Sequence, residues 1–91
     1  MALITLAETN VANEIMKEVA QSRDQHGSHT SIHESLGIIL EEWDEYKAEV
    51  AAHNPRKGPD RDRRPEIRTE LIHIAASCLK AIVDVIDNGK R

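Results

Sequence analysis

Between Pro65 and Asp87 the chain carries more apolar side chains than one helical face can hold. Ile67, Leu71, Ile72, Ile74, Ala75, Cys78, Leu79, Ile82, Val83, Val85 and Ile86 cover over half the circumference of a helix. Such a helix is buried on two sides, and only a narrow ridge of Glu66, Glu70, His73, Ser77 and Asp84 is left polar. The whole chain has 91 residues, enough for a single domain, 1–91, and too few to cover both sides well. Aromatic bulk does not fill the gap, since there is one Trp, one Tyr and no Phe. Nor does a disulfide framework. Cys78 is the single cysteine, a usage that fits a reducing compartment, and its apolar neighbours mark it as core. A metal, a second subunit or both must then complete the fold, and the doubly apolar helix points to the subunit.

Two further helical patterns precede it. Ile4, Ala7, Val11, Ile15 and Val19 recur at three and four, which predicts a helix over about 6–24 opening on a Thr5–Glu8 capping box. The break from Gln25 to Thr30 ends it, with Gly27 as the stop. Ser31 and Glu34 open a second helix, about 31–52. Ile32, Leu36, Ile39, Trp43, Tyr46 and Val50 fall on one side of it, and Glu34, Glu41, Glu42, Glu45 and Glu49 on the other. Gly37 inside that helix points to a close helix crossing. Residues 53–64 read as a loop by their Pro and Gly content. Pro65 suits the first turn of the third helix, about 65–87, which Asn88-Gly89 terminates. The expected fold is all-α, three long helices per chain forming an oligomeric helical bundle.

The charge pattern narrows the partners. There are 16 acidic and 12 basic residues, a formal charge of −4, so neither nucleic acid nor an anionic membrane is expected to bind. No apolar run reaches the ~20 residues that span a bilayer. The start, Met1-Ala2-Leu3-Ile4-Thr5-Leu6-Ala7-Glu8, has no basic segment and meets an acid too early for a secretion signal, so a cytoplasmic protein is expected. The acid excess is concentrated on the second helix. Glu41 and Glu45 lie one turn apart, with Glu42 close in angle to Glu45. This set reads either as a solvated acidic face or as a site for a hard divalent cation, which takes oxygen ligands. Glu70 and His73, at i and i+3 on the third helix, are placed to act on the same ligand if the two polar ridges flank one cleft.

In order, these residues read Glu41-Glu42-x-x-Glu45, then 24 intervening residues, then Glu70-x-x-His73. The pattern resembles the EExxE…ExxD signature of the MazG-like nucleotide pyrophosphohydrolases, in the all-α NTP pyrophosphatase superfamily, and looks closest to the short single-domain members. The run Arg68-Thr69-Glu70-Leu71-Ile72-His73-Ile74-Ala75-Ala76 is similar to the family's REEL…AA helix. The resemblance spans about residues 6–87. It implies a metal-dependent hydrolysis of a nucleoside triphosphate (NTP or dNTP) to NMP and pyrophosphate, in a homo-oligomer, either dimer or tetramer. It also implies Glu41, Glu42, Glu45 and Glu70 as catalytic residues and Mg²⁺ ligands, one of them positioning the attacking water. His73 stands where the family has Asp and is a further metal-ligand candidate. An imidazole favours Mn²⁺ or another transition metal over Mg²⁺. Weakened Mg²⁺ activity, a different metal, or an inactive nucleotide-binding or oligomerisation module all follow from that change, and a structural His73 is a fourth reading.

Lesser candidates surround this set. Arg56, Lys57 and Arg61 in the basic loop can contact substrate phosphate or merely solvate the loop. His26, His29 and His33 form an H-x₂-H-x₃-H cluster that needs a fourth ligand to hold zinc, and otherwise lines a turn. Trp43 and Tyr46, on the apolar side, read as core or subunit-interface anchors.

Overall fold

The computed structural model describes residues 3–90. Met1, Ala2 and Arg91, the ends of the expected domain 1–91, lie outside the described residues. Three helices form in the expected order: α1 (Leu6–His26), α2 (Ile32–Ala52) and α3 (Arg64–Lys80). No strand occurs among the described residues. Both expected N-caps are made, since Thr5 Oγ1 accepts the Glu8 N–H at 3.2 Å and Ser31 Oγ accepts the Glu34 N–H at 3.0 Å. The return arms of the capping boxes differ from expectation. Glu8 takes the Thr5 hydroxyl, and Glu34 takes the N–H and hydroxyl of Thr30, one residue earlier than a capping box requires. Gly27, at φ 78, closes α1 by donating its N–H to the Arg23 carbonyl.

The loop after α2 is ordered rather than featureless. It makes two 3₁₀ turns, Pro55–Lys57 and Pro59–Arg61, and the Asn54 N–H reaches the Arg61 carbonyl across them. Arg63 staples the end of α2 to the start of α3, with Nε and Nη2 each donating to Glu49 at 3.0 Å and its N–H donating to His53 Nδ1. Pro65 sits in the first turn of α3, as its missing N–H favours.

The third helix departs from expectation at Lys80. From Ala81 to Ile86 the chain takes π-helical hydrogen bonding, seen in the Asp87 N–H donating to the Ile82 carbonyl at 2.8 Å. The slip lets two successive residues, Asp84 and Val85, both face inward. Asp84 accepts from Arg23 at 2.5 Å and from the His29 N–H at 3.1 Å, and His29 Nδ1 lies 2.7 Å from Ser35 Oγ. One buried polar knot thus ties α1, the α1–α2 turn, α2 and the end of α3.

α3 is the middle layer, packed against α2 on one side and α1 on the other, while α1 and α2 hardly approach each other. Val19, Ala76 and Val85 are the fully buried apolar residues. The remaining apolar surface stays open. α2 turns Ser35, Glu42 and Glu49 inward and leaves Ile32, Leu36, Leu40, Trp43 and Val50 exposed, the reverse of what its amphipathic pattern predicts for a lone chain. A Cβ placed on Gly37 would meet nothing within 4 Å, so the expected close crossing is absent within the chain. Cys78 is exposed, a correction to its reading as core, because it points away from both neighbouring helices. The radius of gyration is 15.3 Å, against about 12 Å for a compact chain of this length. The accessible surface is 6742 Å², against about 5,300 Å² for a compact monomer of this mass.

Candidate functional site

The polar ridge of α3 faces a cleft of about 520 Å³ between the C-terminal half of α1, the α1–α2 turn and the first half of α2. The helical period puts Glu70, His73, Ser77 and Lys80 one above another along this ridge. Across from them stand Glu41 and Glu42 of α2, and Glu18 and Ser22 of α1.

Glu42 and His73 line one end of the cleft, and Glu45 and Glu70 adjoin them just outside its lining. Burial pushes the Glu42 carboxyl up, and the charges of Glu45 and Glu70 add to it, while the Ser77 hydroxyl, which donates to Glu42, and His73 oppose it. Burial likewise raises Glu70, and the adjoining Glu45 carboxyl raises it further, against the opposing influence of His73. Glu70 Oε2 is buried and has no hydrogen-bond partner. His73 lies between two carboxylates, with Nε2 3.6 Å from Glu18 and Nδ1 3.7 Å from Glu70. Glu41 is exposed on the cleft wall beside this group.

Crowded carboxylates that hold protons more tightly than usual, one with an orphaned buried oxygen, are the donor set a hard cation would relieve. Their chemistry fits such an ion. As the side chains stand, no group of three or more His, Cys, Asp or Glu residues among the described residues is arranged to hold a metal ion. Closing the set would take rotations of Glu41 and Glu45, both of which are exposed.

Other sequence candidates fall elsewhere. Arg56, Lys57 and Arg61 are exposed on the 3₁₀ turns, and none lines the cleft. His29 is buried and held by Ser35, His26 lines the cleft, and His33 is exposed outside its lining, so the three do not converge. Trp43 is 46% exposed, which removes it from the core of the single chain, and its ring lies 5.4 Å from that of Tyr46. Glu18 and Lys80 are among the cleft residues that escaped the sequence reading. Glu18 is one turn from Ser22 on the flank of the α1 stripe, a pairing that α1's own periodicity could have exposed. Lys80 continues the α3 ridge at i+3 from Ser77 and is buried.

No helix among the described residues is long and apolar enough to cross a membrane. Comparison with protein-family models, curated proteins and solved structures found no match.

Proposed function

We propose that the chain is a MazG-like, metal-dependent nucleoside triphosphate pyrophosphohydrolase that converts an NTP or dNTP to NMP and pyrophosphate. The observation that carries this reading is the grouping of Glu42, Glu45, Glu70 and His73 at and beside one end of the cleft, with Glu70 Oε2 accepting no hydrogen bond. The cleft volume, about 520 Å³, is that of a small-molecule site. In this reading Glu42, Glu45 and Glu70 would hold Mg²⁺ or Mn²⁺, with Glu41 and His73 as further candidate ligands. The bound ion would neutralise the polyphosphate and polarise the bond to be broken. Glu41, exposed on the wall, would take a proton from a water whose oxygen attacks the α-phosphorus, while the bond to the departing pyrophosphate breaks. Ser77 fixes the Glu42 carboxyl from behind.

A second copy of the chain completes the fold in the same proposal. The surface excess of about 1,400 Å² over a compact monomer is more than the ~800 Å² each partner contributes to a standard interface. The open stripe of α2 runs beside an apolar groove of about 230 Å³ formed with Val85 and Ile86, so one continuous face is available to the copy.

Each NTP and dNTP incubated with Mg²⁺ or Mn²⁺, with pyrophosphate release as readout, tests the activity. Turnover that disappears in Glu42→Gln and in Glu41→Gln is expected; turnover that survives in either overturns that residue's role. The position of His73, already flanked by Glu18 and Glu70, favours one alternative, an inactive nucleotide-binding or oligomerisation module on the same fold. Nucleotide binding without pyrophosphate release under any divalent metal would select it.

A further inference from the structure

Lys80 is the most heavily buried charged side chain in the cleft wall, 3% exposed. Its ammonium carries three donors, and the hydrogen bond it makes is to a neutral group, the Ser22 hydroxyl, at 2.6 Å. Among the described residues no carboxylate lies within ion-pair distance of its Nζ. The carboxylates around it are committed elsewhere: Asp84 to Arg23 and the His29 N–H, Glu34 to Thr30, and Glu42 to Ser77. A buried ammonium without an anion is unfavourable unless something supplies the anion. Lys80 sits seven residues beyond His73 on the same ridge, about 10 Å along the helix axis. The cleft therefore has the carboxylates of the Glu42 group at one end and, at the other, a cation whose hydrogen bond is to a neutral hydroxyl.

We propose that Lys80 binds a phosphate oxygen of the ligand, filling the role that the basic loop does not reach in the single chain. The proposal rests on the nucleotide reading above and adds to it the residue that receives the polyphosphate. The ligand is a polyphosphate anion, carried by a nucleotide or present as free pyrophosphate. Burial holds the Lys80 ammonium below the ordinary lysine range, and the nearby Asp84 carboxylate opposes that shift. A bound phosphate would relieve the strain in the same way.

The test is binding, measured without turnover. Calorimetric titration with inorganic pyrophosphate and with a non-hydrolysable nucleoside triphosphate analogue is run on wild type, Lys80→Met and Lys80→Arg, in EDTA and in Mg²⁺. Lys80→Met is expected to weaken both ligands about tenfold or more, and Lys80→Arg to retain most of the affinity. Loss for the nucleotide analogue alone would assign the contact to bound nucleotide rather than to free pyrophosphate. Equal affinity of Lys80→Met and wild type for both ligands overturns the proposal. Should Lys80→Met fail to fold, ¹³C resonances of lysine side chains in wild type still decide the matter. A Lys80 signal that moves on adding pyrophosphate supports the contact, and one that stays fixed through saturation refutes it. Lys80-dependent pyrophosphate binding in a protein that hydrolyses no nucleotide would sink the enzymatic reading and leave this site standing. Hydrolysis with no Lys80 dependence of binding would do the reverse.

Discussion

Glu70→Gln should make the metal-free protein more stable at neutral pH while removing most of its response to divalent cations. The Glu70 side chain is 15% exposed, its Oε2 accepts no hydrogen bond and has only the His73 ring at 3.7 Å, and the Glu45 carboxyl lies against it. A buried polar atom left unpaired costs about 1–3 kcal/mol, and more when charged. An amide removes the charge and offers N–H donors to Glu45, so a net gain of about 1–2 kcal/mol is expected. In a domain of this size 1 kcal/mol moves Tm by about 4–8 °C, which puts the variant roughly 4–16 °C above wild type at pH 7.5 in EDTA.

The pH dependence has a definite sign. Glu70's carboxyl holds its proton more tightly folded than unfolded, where the value is about 4.3. Its contribution to stability is therefore complete below about pH 4.3 and is lost as pH rises through the folded value. The Tm difference between the variant and wild type should shrink toward zero at pH 4. Saturating Mg²⁺ at ~100 times its Kd would add about 2.7 kcal/mol to wild type, and little to the variant. Differential scanning calorimetry at fixed protomer concentration reads all three quantities. A variant that melts at or below wild type at pH 7.5 without metal, or that gains as much from Mg²⁺, would refute the carboxylate-crowding argument.

Other residues carry independent expectations. Asp84→Ala strips the shared acceptor from Arg23 and the His29 N–H and should cost about 2–3 kcal/mol in urea denaturation, discounted for the partly exposed Arg23. Burial, helped by the charge of Lys80, pushes His29 below the usual histidine range, so its stability contribution is complete above about pH 6.5 and is lost as pH falls below that. Urea midpoints at pH 7.5 and 5.5 should accordingly fall further in wild type than in His29→Gln. If a second copy covers the open α2 face as proposed, Leu36→Glu or Ile82→Glu, at positions about half exposed, should lower the mass in light scattering to that of a monomer and shift Trp43 emission to the red. An unchanged mass in both variants would place the interface elsewhere.

The helix boundaries were legible because their signals are local. Thr5, Ser31, Gly27 and Pro65 each act within one turn, and all four do what their chemistry dictates. The inward face of α2 was not legible. Periodicity identifies which face avoids water, and it is silent on whether the covering surface belongs to the same chain. Here Glu42 and Glu49 turn toward α3 and Leu36 and Trp43 turn out, so the stripe describes a surface that the single chain does not use. The π-helical slip after Lys80 is nonlocal in the same sense. It is fixed by Asp84 meeting Arg23 and His29, partners more than 50 residues away that no window around Asp84 contains.

The same distinction separates the two ends of the cleft. Glu41, Glu42, Glu45 and Glu70 could be singled out because their order and spacing along the chain resemble a family signature, where the acidic run alone reads equally as a solvated face. Lys80 offers no such contrast. A lone lysine on an otherwise apolar helix ordinarily lays its stem along the surface and keeps its ammonium in water. What denies it water is the wall that α1 raises across the cleft, with Ser22 within hydrogen-bond reach of Nζ. That wall depends on α1 and α2 both packing on α3 from opposite sides, so the charge at 80 acquires its meaning only once three separate elements are in place. Residues whose role comes from pattern appear in the sequence; a residue whose role comes from enclosure does not. Shortening the wall should accordingly return Lys80 to water. Ser22→Gly is expected to raise its ammonium toward the ordinary lysine range in a ¹³C titration, and an unchanged value would mean that α1 is not what encloses it.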